Sequence, residues 1–112
     1  MTATASTLYI TFLTLFPDAI EEMMDLSILG RAQKKGLLKV NTLQIRDYAL
    51  DKHQTVDDTP CGGGAGQVMR VDVLHRAVEA AQAQQDASLK TRTILLDPAG
   101  KVFSQKAAVD LA

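Results

Sequence analysis

The stretch Leu8-Tyr9-Ile10-Thr11-Phe12-Leu13-Thr14-Leu15-Phe16-Pro17-Asp18 decides the class of fold. Leu8 to Leu15 is rich in β-branched and aromatic residues and apolar almost throughout, which suits a strand covered on both faces, as in a parallel sheet. Pro17 falls where a helix accepts proline, in its first turn, because the missing N–H is one the helix could not bond anyway. Asp18, Glu21 and Glu22 favour the positive end of the helix dipole, and Ile20, Met23, Met24 and Ile28 recur at helical spacing. Gly30 is expected to break this helix, with Arg31 to Lys35 forming a further turn capped by Gly36.

Downstream, Leu38, Val40 and Thr42 alternate with Lys39, Asn41 and Leu43 before Ile45, the period of a strand. Arg46 to Gln67 shows little periodicity, and so long a loop in a compact domain is usually functional. Val71, Leu74, Val78 and Ala81 predict a helix from about Val71 to Gln85, followed by a polar connection to Ser88. Thr93 to Leu96 reads as a short strand stopped by Asp97–Pro98. Ser104 is placed to cap a last helix. The order strand, helix, strand, loop, helix, strand, helix predicts an α/β fold with a mainly parallel sheet flanked by helices. Upstream, residues 1–7 form a small-residue polar tail expected to be disordered. Residues 8–112 are then one domain or a piece of one.

Composition narrows the function classes. The 112 residues are 46% apolar and 22% charged, an ordinary globular balance. Aromatics make up 4% with no Trp, so aliphatic side chains must fill the core. Residues 1–56 carry six basic and six acidic groups and residues 57–112 six and seven, so overall charge points to no nucleic-acid partner. Locally the balance shifts: Arg31, Lys34, Lys35, Lys39 and Arg46 occur with no acidic residue between Leu26 and Arg46. Such a patch could contact phosphates, or be a solvated helix face with a basic helix end. The single cysteine, Cys61, excludes an intrachain disulfide and fits a reducing compartment. The start of the chain lacks the basic residues of a secretory signal, and the apolar run Leu8 to Phe16 is too short to span a bilayer. The expectation is a cytoplasmic protein with no membrane partner.

Two segments could carry chemistry. In the first, His53, Asp57 and Asp58 precede Pro60-Cys61-Gly62-Gly63-Gly64-Ala65-Gly66-Gln67. Glycines let the backbone approach a ligand and turn at positive φ, and successive N–H groups could form an anion nest. No Lys follows Gly66, so this is no Walker loop, and the spacing is not that of a dinucleotide fingerprint. His53 could be a plain surface histidine, and Asp57 and Asp58 could serve turn formation before Pro60, or all three could recognise a base edge or handle a proton. Residues 53, 61 and 75 lack zinc-site spacing, so no metal is expected. The second segment, Leu95-Leu96-Asp97-Pro98-Ala99-Gly100, places a tight turn at a strand's carboxyl end, where ligands bind in open α/β sheets.

Taken together the motifs are far more specific. Leu13 to Pro17, Gly30-Arg31-Ala32, Gly36-Leu37-Leu38, Arg46-Asp47, His53-x-Thr55-Val-Asp57-Asp58-x-Pro60-x-Gly-Gly-Gly-Ala-Gly66 and Asp97-Pro-x-Gly100 occur in one order and spacing. The pattern resembles the bacterial tRNA (guanine-N1)-methyltransferases of the trefoil-knotted SPOUT superfamily, over nearly the whole chain after residue 7. The resemblance implies methyl transfer from S-adenosylmethionine to N1 of guanosine at tRNA position 37, by a homodimer whose active sites lie at the subunit interface. It matches Leu95, Leu96, Asp97, Pro98 and Gly100 to the first loop around the methyl donor. It matches His53, Asp57, Gly62, Gly63, Gly64 and Gly66 to the guanine side of the pocket. Cys61 stands where the family more often has an aromatic residue, Ala65 and Gln67 replace the commoner Pro and Met, and Asp97 replaces a frequent Ser.

The family pattern continues beyond this sequence with a Gly-x-Tyr-Glu-Gly loop, the threaded knot and a helical tRNA-binding domain. Its catalytic aspartate and partner arginine lie in that continuation, so no catalytic residue is assigned here. The sequence is thus expected to be an incomplete methyltransferase domain, inactive in isolation. Two other classes compete: a non-catalytic RNA-binding or interaction module on the same scaffold, using Arg31 to Arg46, and a nucleotide-phosphate binder using Gly62 to Gly66.

Overall fold

A computed structural model of the chain describes residues 6–58 and 68–112. Strands β1 (Leu8–Thr14) and β2 (Leu38–Gln44) pair in parallel, in register from Leu8 opposite Leu38 to Thr14 opposite Gln44. Parallel neighbours need a long crossover. Helices α1 (Pro17–Met24) and α2 (Ser27–Lys34) supply it, with Pro17 in the first turn as expected. A 3-10 helix (Ile45–Tyr48) leaves β2. Two short antiparallel strands follow, β3 (Asp57–Asp58) and β4 (Val68–Met69), and then helices α3 (Val71–Ala83) and α4 (Gln105–Leu111). This is the α/β class that the element order predicts.

The helical break differs from expectation. It falls at Asp25–Leu26, and Gly30 lies buried inside α2. Glycine is needed there for close approach: a Cβ at position 30 would overlap the Asp25 carbonyl oxygen and sit 2.8 Å from its carbon. Gln33 Nε2 donates to the Met24 carbonyl at 2.6 Å and ties the two helices at this corner. Gly36 ends α2 as read from sequence. At φ 75° it donates its N–H to Gln33 O at 3.1 Å, while Leu37 N–H reaches Ala32 O at 2.9 Å. These paired bonds close a Schellman motif, which satisfies carbonyls that the helix end would leave open.

Two strand expectations are corrected. Thr93 to Leu96 forms no strand; the whole run 86–106 is exposed. A strand exists only by pairing, and no ladder partner lies beside these residues among the described ones. Contrary to expectation, β1 is not covered on both faces. It has a neighbour on one side only among the described residues, and its residues are exposed or half-buried.

The core sits at the carboxyl end of the β1–β2 pair. Ile45, Val56 and Val73 are 1–3% exposed and pack with Leu13, Leu15, Tyr48, Ala49, Met69 and Leu74. One face of α3 closes it, with Val73, Ala77 and Ala81 buried at helical spacing. Ser104 Oγ accepts the Ala107 N–H at 3.1 Å, the cap predicted for α4.

Candidate functional site

The carboxyl ends of the two parallel strands are joined by one side chain. Gln44 Nε2 donates to Leu15 O at 3.1 Å, and Gln44 Oε1 accepts the Arg46 N–H at 3.2 Å. From this point the chain turns through the 3-10 helix into the segment singled out from sequence. That segment is ordered without regular structure. Asp51 accepts the Thr55 N–H at 2.9 Å and the Thr55 hydroxyl at 2.5 Å. Those two bonds to Thr55 hold the Asp51 carboxyl below its ordinary range. Arg46 Nη1 donates to Gln54 O at 3.4 Å, and Gln54 takes a φ of 51° between them.

His53 lies exposed on this turn. Val56 then dips into the core at 2% exposure, and its carbonyl accepts the Arg70 N–H at 2.6 Å. Asp57 and Asp58 follow, exposed, paired with Met69 and Val68 at the base of a hairpin. In sequence the glycine run spans the gap between β3 and β4. Gly62, Gly63, Gly64 and Gly66, with Cys61, lie outside the described residues.

Helix α3 faces this loop with charge. Arg70 reaches Asp72 through Nε and Nη2, both at 3.2 Å. Arg76 Nη2 lies 3.5 Å from the same carboxylate, and Arg76 Nε donates to Tyr48 O at 2.7 Å. Partial desolvation pulls the Asp72 carboxyl upward, but the hydrogen bond and charge of Arg70, the Val73 backbone N–H and the charge of Arg76 outweigh it and hold the group below its ordinary range. Leu50, Asp51, Arg70, Asp72, Val73 and Arg76 line a cleft of about 290 Å³ here. His75 points away from it and pairs with Glu79 at 2.9 Å on the exposed face.

The second segment lies on the exposed run that leads to α4. Asp97 Oδ1 accepts the Ala99 N–H at 2.8 Å and Asp97 O the Gly100 N–H at 2.9 Å, which forms the expected tight turn. Leu95 and Leu96 are 76% and 91% exposed among the described residues. The structure therefore brings His53 and Asp57 into one anchored loop, while Leu95, Leu96, Asp97, Pro98 and Gly100 contribute nothing to the lining of the cleft beside it. Sequence reasoning missed Asp51, Arg70, Asp72 and Arg76. The four-residue spacings Asp51 to Thr55 and Asp72 to Arg76 were the available signals.

A parallel strand pair with a helical crossover, followed by a short antiparallel pair, makes this an α/β domain. A family model described as tRNA (guanine-1)-methyltransferase TrmD matches residues 8–112, and the chain belongs to that family. It is 47% identical over 102 residues to a tRNA (guanine-N(1)-)-methyltransferase of Chelativorans sp., covering 91% of this chain and 42% of that protein. It is equally identical, over 102 residues, to the enzyme of that name from Deinococcus radiodurans, covering 91% of this chain and 36% of the relative. The chain thus spans well under half the length of these curated relatives. Among solved structures, the tRNA (m1G37) methyltransferase from Aquifex aeolicus superposes with a TM-score of 0.64 at 28% identity, over 70% of this chain and 35% of that one.

Proposed function

We propose that the protein carrying this sequence methylates N1 of guanosine at tRNA position 37 with S-adenosylmethionine as donor, as a cytoplasmic homodimer. Family membership over residues 8–112 carries the reading. The local chemistry supports it. Guanine N1 is an amide-like N–H that must lose its proton as it attacks the sulfonium methyl group. The site therefore needs a base and close alignment of nucleophile, methyl and sulfur. The base must also leave its stack. A loop of small residues lets a flipped purine lie against backbone, so His53, Asp57, Gly62, Gly63, Gly64 and Gly66 are assigned to the guanine side. Leu95, Leu96, Asp97, Pro98 and Gly100 are assigned to the donor. No residue of this chain is assigned the proton-accepting role. The 112 residues are read as the amino-terminal part of the methyltransferase domain, inactive without the rest.

The decisive measurement is transfer of labelled methyl from donor to tRNA. The product of the full reading frame is expected to label N1 of guanosine 37, and the 112-residue chain alone is expected to label nothing. Robust turnover by the short chain overturns the partial-domain reading; no turnover by the full product overturns the function. A second reading, a non-catalytic RNA-binding module, draws on one observation: Arg31, Lys34, Lys35 and Lys39 form no ion pair among the described residues. It predicts tRNA binding without methylation, weakening steeply as salt rises.

A further inference from the structure

The segment assigned to the guanine has no regular structure between Ala49 and Val56, where it bears His53, before Asp57 enters β3. Its far end is secured by backbone, through the Val56 carbonyl and the Arg70 N–H. Its near end has no such ladder. There the Tyr48 carbonyl, the last of the 3-10 helix, receives Arg76 Nε at 2.7 Å from a residue 28 positions away. Arg76 is itself fixed. Its side chain is 29% exposed, and its Nη2 lies 3.5 Å from Asp72, which Arg70 holds from the other side. Arg70 is also the residue whose N–H holds Val56. Asp72 therefore links the anchors at the two ends of the loop through one carboxylate.

We infer that Arg76 is a positioning residue for the loop that bears His53 and leads into Asp57: its guanidinium fixes the start of the loop through the Tyr48 carbonyl, with Asp72 setting the guanidinium's orientation. The planar fork is what the task requires. Nε meets a carbonyl while Nη2 meets a carboxylate, which a single ammonium point charge does less well. Arg76 touches no reacting atom in this account and acts only through Tyr48. The catalytic half of the inference rests on the function proposed above; the structural half does not.

The test uses the product of the full reading frame. Arg76→Met keeps the apolar stem and removes both bonds, and Arg76→Lys keeps the charge. In Arg76→Met, loss of a charge-assisted bond is expected to speed hydrogen exchange at amides 50–56 on the order of tenfold. Amides of the β1–β2 ladder should exchange as in the wild type. Turnover of tRNA should fall on the order of tenfold through kcat, since a loop out of place spoils alignment, while KM for the methyl donor stays put. Arg76→Lys should recover part of both losses. Unchanged exchange at 50–56, or equal acceleration in the β1–β2 ladder, overturns the inference. A wild-type protein with no methyl transfer sinks the proposed function alone, because the exchange comparison still decides whether Arg76 positions the loop.

Discussion

Replacing Gly30 by alanine sets two effects against each other. In an open helix interior the change stabilises by about 1 kcal/mol, because glycine is the poorer helix former. Here the added methyl would overlap the Asp25 carbonyl oxygen and approach its carbon to 2.8 Å. Both are backbone atoms, so no side-chain rotation relieves the clash. The corner between α1 and α2 must open instead. That movement strains the Gln33 to Met24 bond at 2.6 Å and the Gly30 to Leu26 bond at 3.2 Å. Overpacking of this kind costs about 1–3 kcal/mol, and more where backbone must move, so the clash wins and the net loss is on the order of 2 kcal/mol. Ser27 provides a control in the same corner. Its φ of 54° suits glycine better than serine, so Ser27→Gly should be neutral or stabilising by about 1 kcal/mol. Urea unfolding with a common m-value measures both. An alanine variant at 30 that matches or exceeds the wild type would refute the close-approach argument and return Gly30 to the role of a plain helix breaker.

Asp51 holds its turn through a carboxylate whose pKa lies below the ordinary 3.8. Its ordering effect is therefore complete above that value and fades as pH falls through the lower one, which the Thr55 amide shift should track in an NMR titration. Val73, 1% exposed against Ile45 and Val56, should cost about 2 kcal/mol as alanine, read from urea unfolding. Ser104→Ala removes the one side-chain cap of α4 and should weaken that helix by about 1 kcal/mol, seen as faster exchange at residues 108–111 with β1 and β2 unaffected.

Much of the fold was legible because it is written locally. β1, β2, α1 and α3 follow from apolar period, with Pro17 and Asp18 marking α1 and Val71, Leu74, Val78 and Ala81 marking α3, although the face of α3 that is buried is Val73, Ala77 and Ala81 while Val71 is exposed. The Gly36 and Ser104 caps were legible for the same reason, since a cap involves residues within one turn. The misread features depend on how the chain folds back rather than on residue type. Gly30 looked like a breaker, because nothing in its own neighbourhood in sequence reveals that a preceding carbonyl occupies the space of its Cβ. Thr93 to Leu96 has strand composition, but pairing belongs to two segments and only one of them is decided by the run itself.

The candidate site divides along the same line. Residue types and order single out His53, Asp57 and the glycine run, and it is the proposed function that assigns them to the guanine. What anchors the loop bearing His53 was not legible: a guanidinium meeting a backbone carbonyl 28 residues away leaves no pattern in a single sequence. This has a consequence for how the site tolerates change. An irregular loop of this length would lose its place to backbone entropy of about 1–2 kcal/mol per residue unless its ends were fixed from outside. Here both anchors come from Arg70 and from α3, through Arg70 at one end and Arg76 at the other, with Val73 packing on Val56 between them. Helix α3 contains none of the residues assigned to guanine or donor, yet substitutions on its inner face should disturb the guanine loop before they disturb the β1–β2 pair, because that pair keeps its own ladder and the loop has none.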